Sequence, residues 1–163
     1  MSQTTSSSIT HRQVPSVVVA MSTFNDTERT VAAVRSVFTS NTRAKVYAVV
    51  VDDGSEQDTV DALAALEPDY ENLTFLPRPH RERGYARHEA IQESLKLEPD
   101  YILFMDADME LDPEAIQHCM DAVQQSGAGA VLIREIPHSS FDNFATRVKV
   151  FERHIINNSQ LMV

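Results

Sequence analysis

The 163 residues include a single cysteine, Cys119, and no tryptophan. One thiol excludes a disulfide framework within the chain and fits a reducing, cytosolic setting. No apolar run reaches the ~20 residues of a membrane span. The opening residues, MSQTTSSSIT, lack the hydrophobic stretch of a secretory signal. Cations are scarce: 14 Lys and Arg against 24 Asp and Glu leave a net charge of −10. That balance excludes a surface built to coat nucleic acid. A dianionic ligand would need a local basic patch or a metal ion to be held against it. Glycine is scarce too, and none follows the first apolar run, where a phosphate-cradling loop would need it.

Hydrophobic residues make up 42% of the chain, ordinary for a globular protein, and the length suffices for one domain with a core. The Ser/Thr-rich head, residues 1–15, reads as a disordered segment. Residues 16–163 read as one domain without repeats or a linker.

Short β-branched runs alternate with helical patterns. Strands are predicted over Val17–Met21, Val46–Val51, Leu73–Leu76, Tyr101–Met105 and Ala128–Ile133. Between them, Asn25 is expected to start a helix striped by Val31, Val34 and Phe38, with Glu28 in a capping-box position. Ser55 is expected to cap a helix carrying Val60 and Leu63. A third helix runs from about Gly84 to Lys96. A fourth starts at Asp112-Pro113 with Ile116, Cys119, Met120 and Val123 at i, i+3, i+4 and i+7. A last helix covers about Phe141 to Ile156. Alternation of this kind predicts an α/β fold, a mostly parallel sheet with helices on both faces. Ligands of such sheets bind beyond the carboxyl ends of the strands. The unusual polar residues sit there: Ser22 to Asn25, Asp52-Asp53, and Asp106 with Asp108.

Each group has two readings. In an extended segment Asp106 and Asp108 point to one side, ~6–7 Å apart. A divalent cation would relieve their repulsion and keep positions for diphosphate oxygens. The plainer reading is a solvated acidic turn before a helix. Asp52 and Asp53 either organise a strand-to-helix turn at Gly54-Ser55 or accept hydrogen bonds from a base or ribose. The loop Arg78-Pro79-His80-Arg81-Glu82-Arg83-Gly84, with Arg87 one turn beyond, either takes phosphate oxygens or pairs with surface acids. Cys119 reads as core, and His11, His118 and His138 have no metal-ligand spacing.

Four segments in order, Val17-Val18-Val19-Ala20-Met21-Ser22-Thr23-Phe24-Asn25, Val51-Asp52-Asp53-Gly54-Ser55, Gly84-Tyr85-Ala86-Arg87-His88-Glu89-Ala90-Ile91 and Phe104-Met105-Asp106-Ala107-Asp108, resemble the family 2 glycosyltransferases. The agreement covers about residues 16 to 135. It implies a GT-A, Rossmann-like fold of the nucleotide-diphospho-sugar transferase type. The implied activity is inverting sugar transfer from a nucleotide-diphospho-sugar, UDP favoured, assisted by Mn2+ or Mg2+. By position, the resemblance puts Ser22 and Phe24 near the base and has Asp53 accept from base N3–H, with Asp52 beside it. Arg87 lies near the base or diphosphate, Asp106 approaches the ribose, and Asp106 and Asp108 hold the metal. His88 stands where relatives often carry Asn, and Phe24 where Tyr is common.

The family's catalytic base is an Asp on the acceptor side, usually followed by a Gln/Arg/Trp-containing segment. Here Glu135, Asp142 and Glu152 are the only acids after Ile133, and none is assigned as base. The resemblance therefore implies a domain truncated on its acceptor side, working in polysaccharide or glycoconjugate synthesis on an acceptor sugar or lipid-linked glycan. The cytoplasm, including the face of its membrane, is the expected location. The alternative is a donor-binding module without transfer. Three rivals fit less well. A haloacid-dehalogenase phosphohydrolase opens its domain with Asp-x-Asp, whereas here the motif closes the fourth strand. A calcium loop needs Gly and Glu where Leu111 and Gln117 stand. A sugar-nucleotide-forming nucleotidyltransferase needs the missing Gly-rich loop.

Overall fold

A computed structural model of the chain describes residues 14–136 and 144–158. The head expected over residues 1–15 falls outside this range apart from Val14 and Pro15. In chain order the elements are β1 (Ser16–Thr23), α1 (Thr27–Phe38), β2 (Lys45–Asp52), α2 (Gln57–Ala64), a 3-10 turn (Glu67–Asp69), β3 (Leu73–Pro77), α3 (Arg83–Leu95), β4 (Tyr101–Phe104), α4 (Ala115–Ser126) and α5 (Phe144–Asn158). The chain divides into two compact units, one ending at Met120 and the other beginning at Asp121.

In the first unit four strands pair in the order β3-β2-β1-β4, all parallel. Alternation along each strand splits the core in two. Val17, Val19 and Met21 of β1 and Ala48 and Val50 of β2 pack with Ala33, Val34 and Val37 of α1, Leu63 of α2, and Ile116 and Met120 of α4. The intervening residues, Val18, Ala20, Val49 and Val51, pack with Ala86 and Ala90 of α3. The small alanines let α3 lie close to the sheet. Helices thus cover both faces, as the βα alternation predicted. Each fully buried valine here contributes ~1.5–3 kcal/mol relative to exposure.

The second unit departs from expectation. Residues 128–133 form no strand; 127–136 is irregular, with Leu132 86% exposed. Gly127, at φ +67°, ends α4, and its N–H donates to Val123 O at 2.9 Å. An apolar run does not distinguish a strand from other structure until a neighbour supplies a backbone ladder. Here β4 pairs only with β1 among the described residues. The predicted last helix is present as α5, and its expected start at Phe141 lies outside the described residues. No helix among these residues is long and apolar enough to cross a membrane.

Candidate functional site

Register brings the polar strand ends to one edge. Thr23 of β1 is level with Asp52 of β2, which is level with Pro77 of β3. On the other side Ala20 pairs with Phe104, two residues before Asp106. The ladder continues one step, with Met105 N–H donating to Ala20 O at 3.2 Å.

Adjacent strand residues face opposite ways, so Asp52 and Asp53 part company. Asp52 is wholly buried. Its Oδ2 accepts from Gly54 N–H at 3.1 Å and Ser55 N–H at 2.9 Å, and its Oδ1 accepts from the Ser55 hydroxyl. Asp52 therefore builds the turn. Asp53 points toward the α3 side and anchors the basic loop. Arg81 N–H donates to its Oδ1 at 2.9 Å, and Glu82 N–H to its Oδ2 at 3.1 Å. The second of these bonds holds Glu82 at φ +97°, a strained value for a residue with a side chain. The loop passes so close to Gly54 (φ +79°) that a Cβ there would lie 2.5 Å from His80 N.

Sequence reasoning missed His80. Its Nδ1 lies 2.8 Å from the Asp53 carbonyl oxygen and 3.1 Å from Oδ2. Both are acceptors, so the ring donates from Nδ1. The imidazole also packs against Phe24 in a tilted arrangement, centroids 4.8 Å apart, while Phe24 stays 49% exposed. Ser22 is half-buried at the same strand end. Asn25 does not begin α1. It takes φ +49° and stitches two turns together, its N–H donating to Ser55 Oγ at 2.7 Å and its Oδ1 accepting from Glu56 N–H at 2.8 Å. Ser55 is thereby committed to Asp52 and Asn25, and Glu56 takes the N-cap position of α2 without a side-chain bond. Asp112 accepts from Glu114 N–H at 3.0 Å, and α4 begins three residues later, at Ala115.

The basic loop divides its arginines. Arg78 pairs with Glu89 of α3 and approaches Glu93 at 3.9 Å. Arg81 lies over the Tyr85 ring at 5.8 Å. Between them, Asp53, Arg78, Arg81, Tyr85 and Glu89 line a cleft of about 240 Å³.

Asp106 and Asp108 do not lie in the extended segment expected for them. β4 ends at Phe104, and Met109 N–H donates to Asp106 O at 3.2 Å, closing a turn. The two carboxylates take different partners. Asp106 pairs with Nη2 of Arg87 on α3. Asp108, 51% exposed, lies 4.0 Å from Nη1 of Arg29 on α1. Arg87 also lies over Phe104 at 5.7 Å, and its Nε is buried without a hydrogen-bond partner. No three His, Cys, Asp or Glu side chains converge as a metal site among the described residues. Asp108 is the more exposed of the two carboxylates, and a carboxylate is the kind of oxygen ligand that a hard divalent cation takes together with water and phosphate oxygens. Cys119, half-buried on α4, has its thiol pKa pushed up by burial, which disfavours the reactive thiolate.

Two curated relatives, the beta-monoglucosyldiacylglycerol synthases of Trichormus variabilis and of a Nostoc species, are 28% identical over 104 residues, 63% of this chain. The match spans only 22% of the length of those relatives. Among solved structures, the mannosyltransferase PcManGT of Pyrobaculum calidifontis, in complex with GDP-Man and Mn2+, superposes with a TM-score of 0.59 at 19% identity, covering 68% of this chain and 32% of that one. S. aureus TarS (residues 1–349) in complex with UDP-GlcNAc gives 0.59 at 19% identity, covering 80% and 39%. These structural likenesses support the GT-A fold that the motif order implied. The model of Glycosyl transferase family 2 matches residues 18–162, and the chain belongs to that family.

Proposed function

We propose that the chain binds a nucleotide-diphospho-sugar, UDP-linked by preference, at the carboxyl edge of its sheet and transfers the sugar to an acceptor with inversion. Arg87 carries the reading. It is held by Asp106 at the strand edge, yet keeps a buried Nε–H without an acceptor. A buried donor in that state costs ~1–3 kcal/mol unless a ligand oxygen or water satisfies it.

In this reading Phe24 offers its exposed face to the base, with Ser22 beside it. Asp53, which lines the cleft, takes the base N3–H on a lone pair left over from its two backbone bonds. Asp52 contributes by holding the turn. Asp106 takes a ribose hydroxyl, and Arg87 takes the diphosphate. Asp108, together with Asp106, is the proposed ligand pair for Mn2+ or Mg2+. The cation's chemistry is to stabilise negative charge on the departing diphosphate. The complexes of PcManGT with GDP-Man and Mn2+ and of TarS with UDP-GlcNAc support a sugar nucleotide and a divalent cation as classes of ligand. The names of the curated relatives support a lipid-borne acceptor.

Calorimetric titration of UDP and of GDP, with and without Mn2+, tests the donor site. UDP binding strengthened by Mn2+ is the expected result, and absence of binding by either nucleotide would refute it. Incubation with UDP-sugars and lipid acceptors tests transfer. Binding with no turnover of any donor would leave the second reading, a donor-binding module.

A further inference from the structure

We propose that Arg29, in the first turn of α1, is a diphosphate-binding residue of the donor site, aimed by Asp26 and exchanging its approach to Asp108 for phosphate oxygens when Asp108 takes up a cation. The inference rests on the donor-site reading above. It begins from a guanidinium with one short ion pair and one incomplete one. Nη2 binds Asp26 Oδ2 at 2.8 Å, while Nη1 lies 4.0 Å from Asp108 Oδ2, beyond hydrogen-bond length. The side chain is 66% exposed, and an exposed i,i+3 pair such as Arg29–Asp26 contributes little to stability. Asp26 supplies no side-chain cap to α1, so its carboxylate is available to aim the arginine instead.

Charge balance points the same way. Asp26, Asp106 and Asp108 face Arg29 and Arg87, three negative charges against two positive. A divalent cation would turn that deficit of one into an excess of one, suited to a diphosphate. The same cation would repel Arg29 from Asp108, a few ångströms away. Still tethered by Asp26, the planar guanidinium would then be beside the cation with Nη1 released, and phosphate oxygens are the acceptors its geometry suits. Arg29 and Arg87 would approach the diphosphate from helices on opposite faces of the sheet.

The test compares the wild-type chain with Arg29→Gln, which keeps the aliphatic stem, and Arg29→Lys, which keeps the charge. Thermal melts of all three should coincide. Mn2+ alone, followed by its electron paramagnetic resonance signal, should bind Arg29→Gln about threefold more tightly, because a competing cation is gone. UDP with Mn2+ should bind Arg29→Gln about tenfold more weakly, with Arg29→Lys in between. Uridine, lacking phosphate, should bind all three alike. Opposite signs for metal and diphosphate are the signature, since a merely structural arginine would move both together or neither. Wild-type binding of UDP matched by Arg29→Gln would overturn the role of Arg29 and leave the donor site standing. Failure of the wild-type chain to bind UDP or GDP would overturn the donor-site reading and this inference with it.

Discussion

Two acidic turns lie at the same edge of the sheet and are held in opposite ways. At the end of β2, Asp52 is satisfied within three residues by Gly54 and Ser55 and is wholly buried. After β4, Asp106 and Asp108 are partly exposed and face arginines from α3 and α1, 19 and 79 positions away in sequence. Local bonds to backbone N–H groups make a rigid platform, because releasing the carboxylate strands several buried donors. Ion pairs between exposed side chains exchange partners at little cost. The first turn is therefore a fixed scaffold, and the second is free to exchange its partners.

Breaking the scaffold should have the largest effect. Asp52→Ala leaves two N–H groups and a hydroxyl without their acceptor and should lower stability by ~3 kcal/mol, read from urea unfolding. Gly54→Ala should cost ~2 kcal/mol, since its Cβ would meet the His80 backbone at a positive φ. It should also free the loop over residues 78–82, measured as faster amide exchange at Arg81 and Glu82. At the second turn the balance reverses. Asp108→Asn should change stability by no more than ~0.5 kcal/mol, yet remove most of the Mn2+-dependent gain in UDP affinity, about tenfold by calorimetry. Arg87→Ala should weaken UDP binding by a similar or smaller factor, with only a small change in melting temperature. A large loss of stability in Asp108→Asn, or none in Asp52→Ala, would erase the contrast between the two turns.

The alternation of strands and helices was legible because apolar runs and their breaks are local features. Val17–Met21 and Val46–Val51 became the cores of β1 and β2, and Gly84–Lys96 became α3 within a residue at either end. The gathering of Phe24, Asp53 and Asp106 at one edge followed from parallel topology alone. Helix starts were less legible. Asn25 and Ser55 look like caps in isolation, but each finds its partner in the other's turn. His80 carried one local signal, a histidine in a loop whose approach requires Gly54, and that approach is visible only in three dimensions. Arg29 carried a weaker one, an arginine three residues after Asp26 at the ligand edge.

The sequence by itself determined the α/β alternation, the strand ends that carry the acids and the chemistry available there. Each of these depends on residue type and periodicity over a few positions. Tertiary structure decided which carboxylate would be buried scaffold and which would stay exchangeable. It also sent Asp106 and Asp108 toward opposite helices and left residues 128–133 without a strand. Those outcomes depend on backbone ladders and on side chains far apart in the chain, because a hydrogen bond or ion pair needs a partner within a few ångströms, wherever in the chain it comes from.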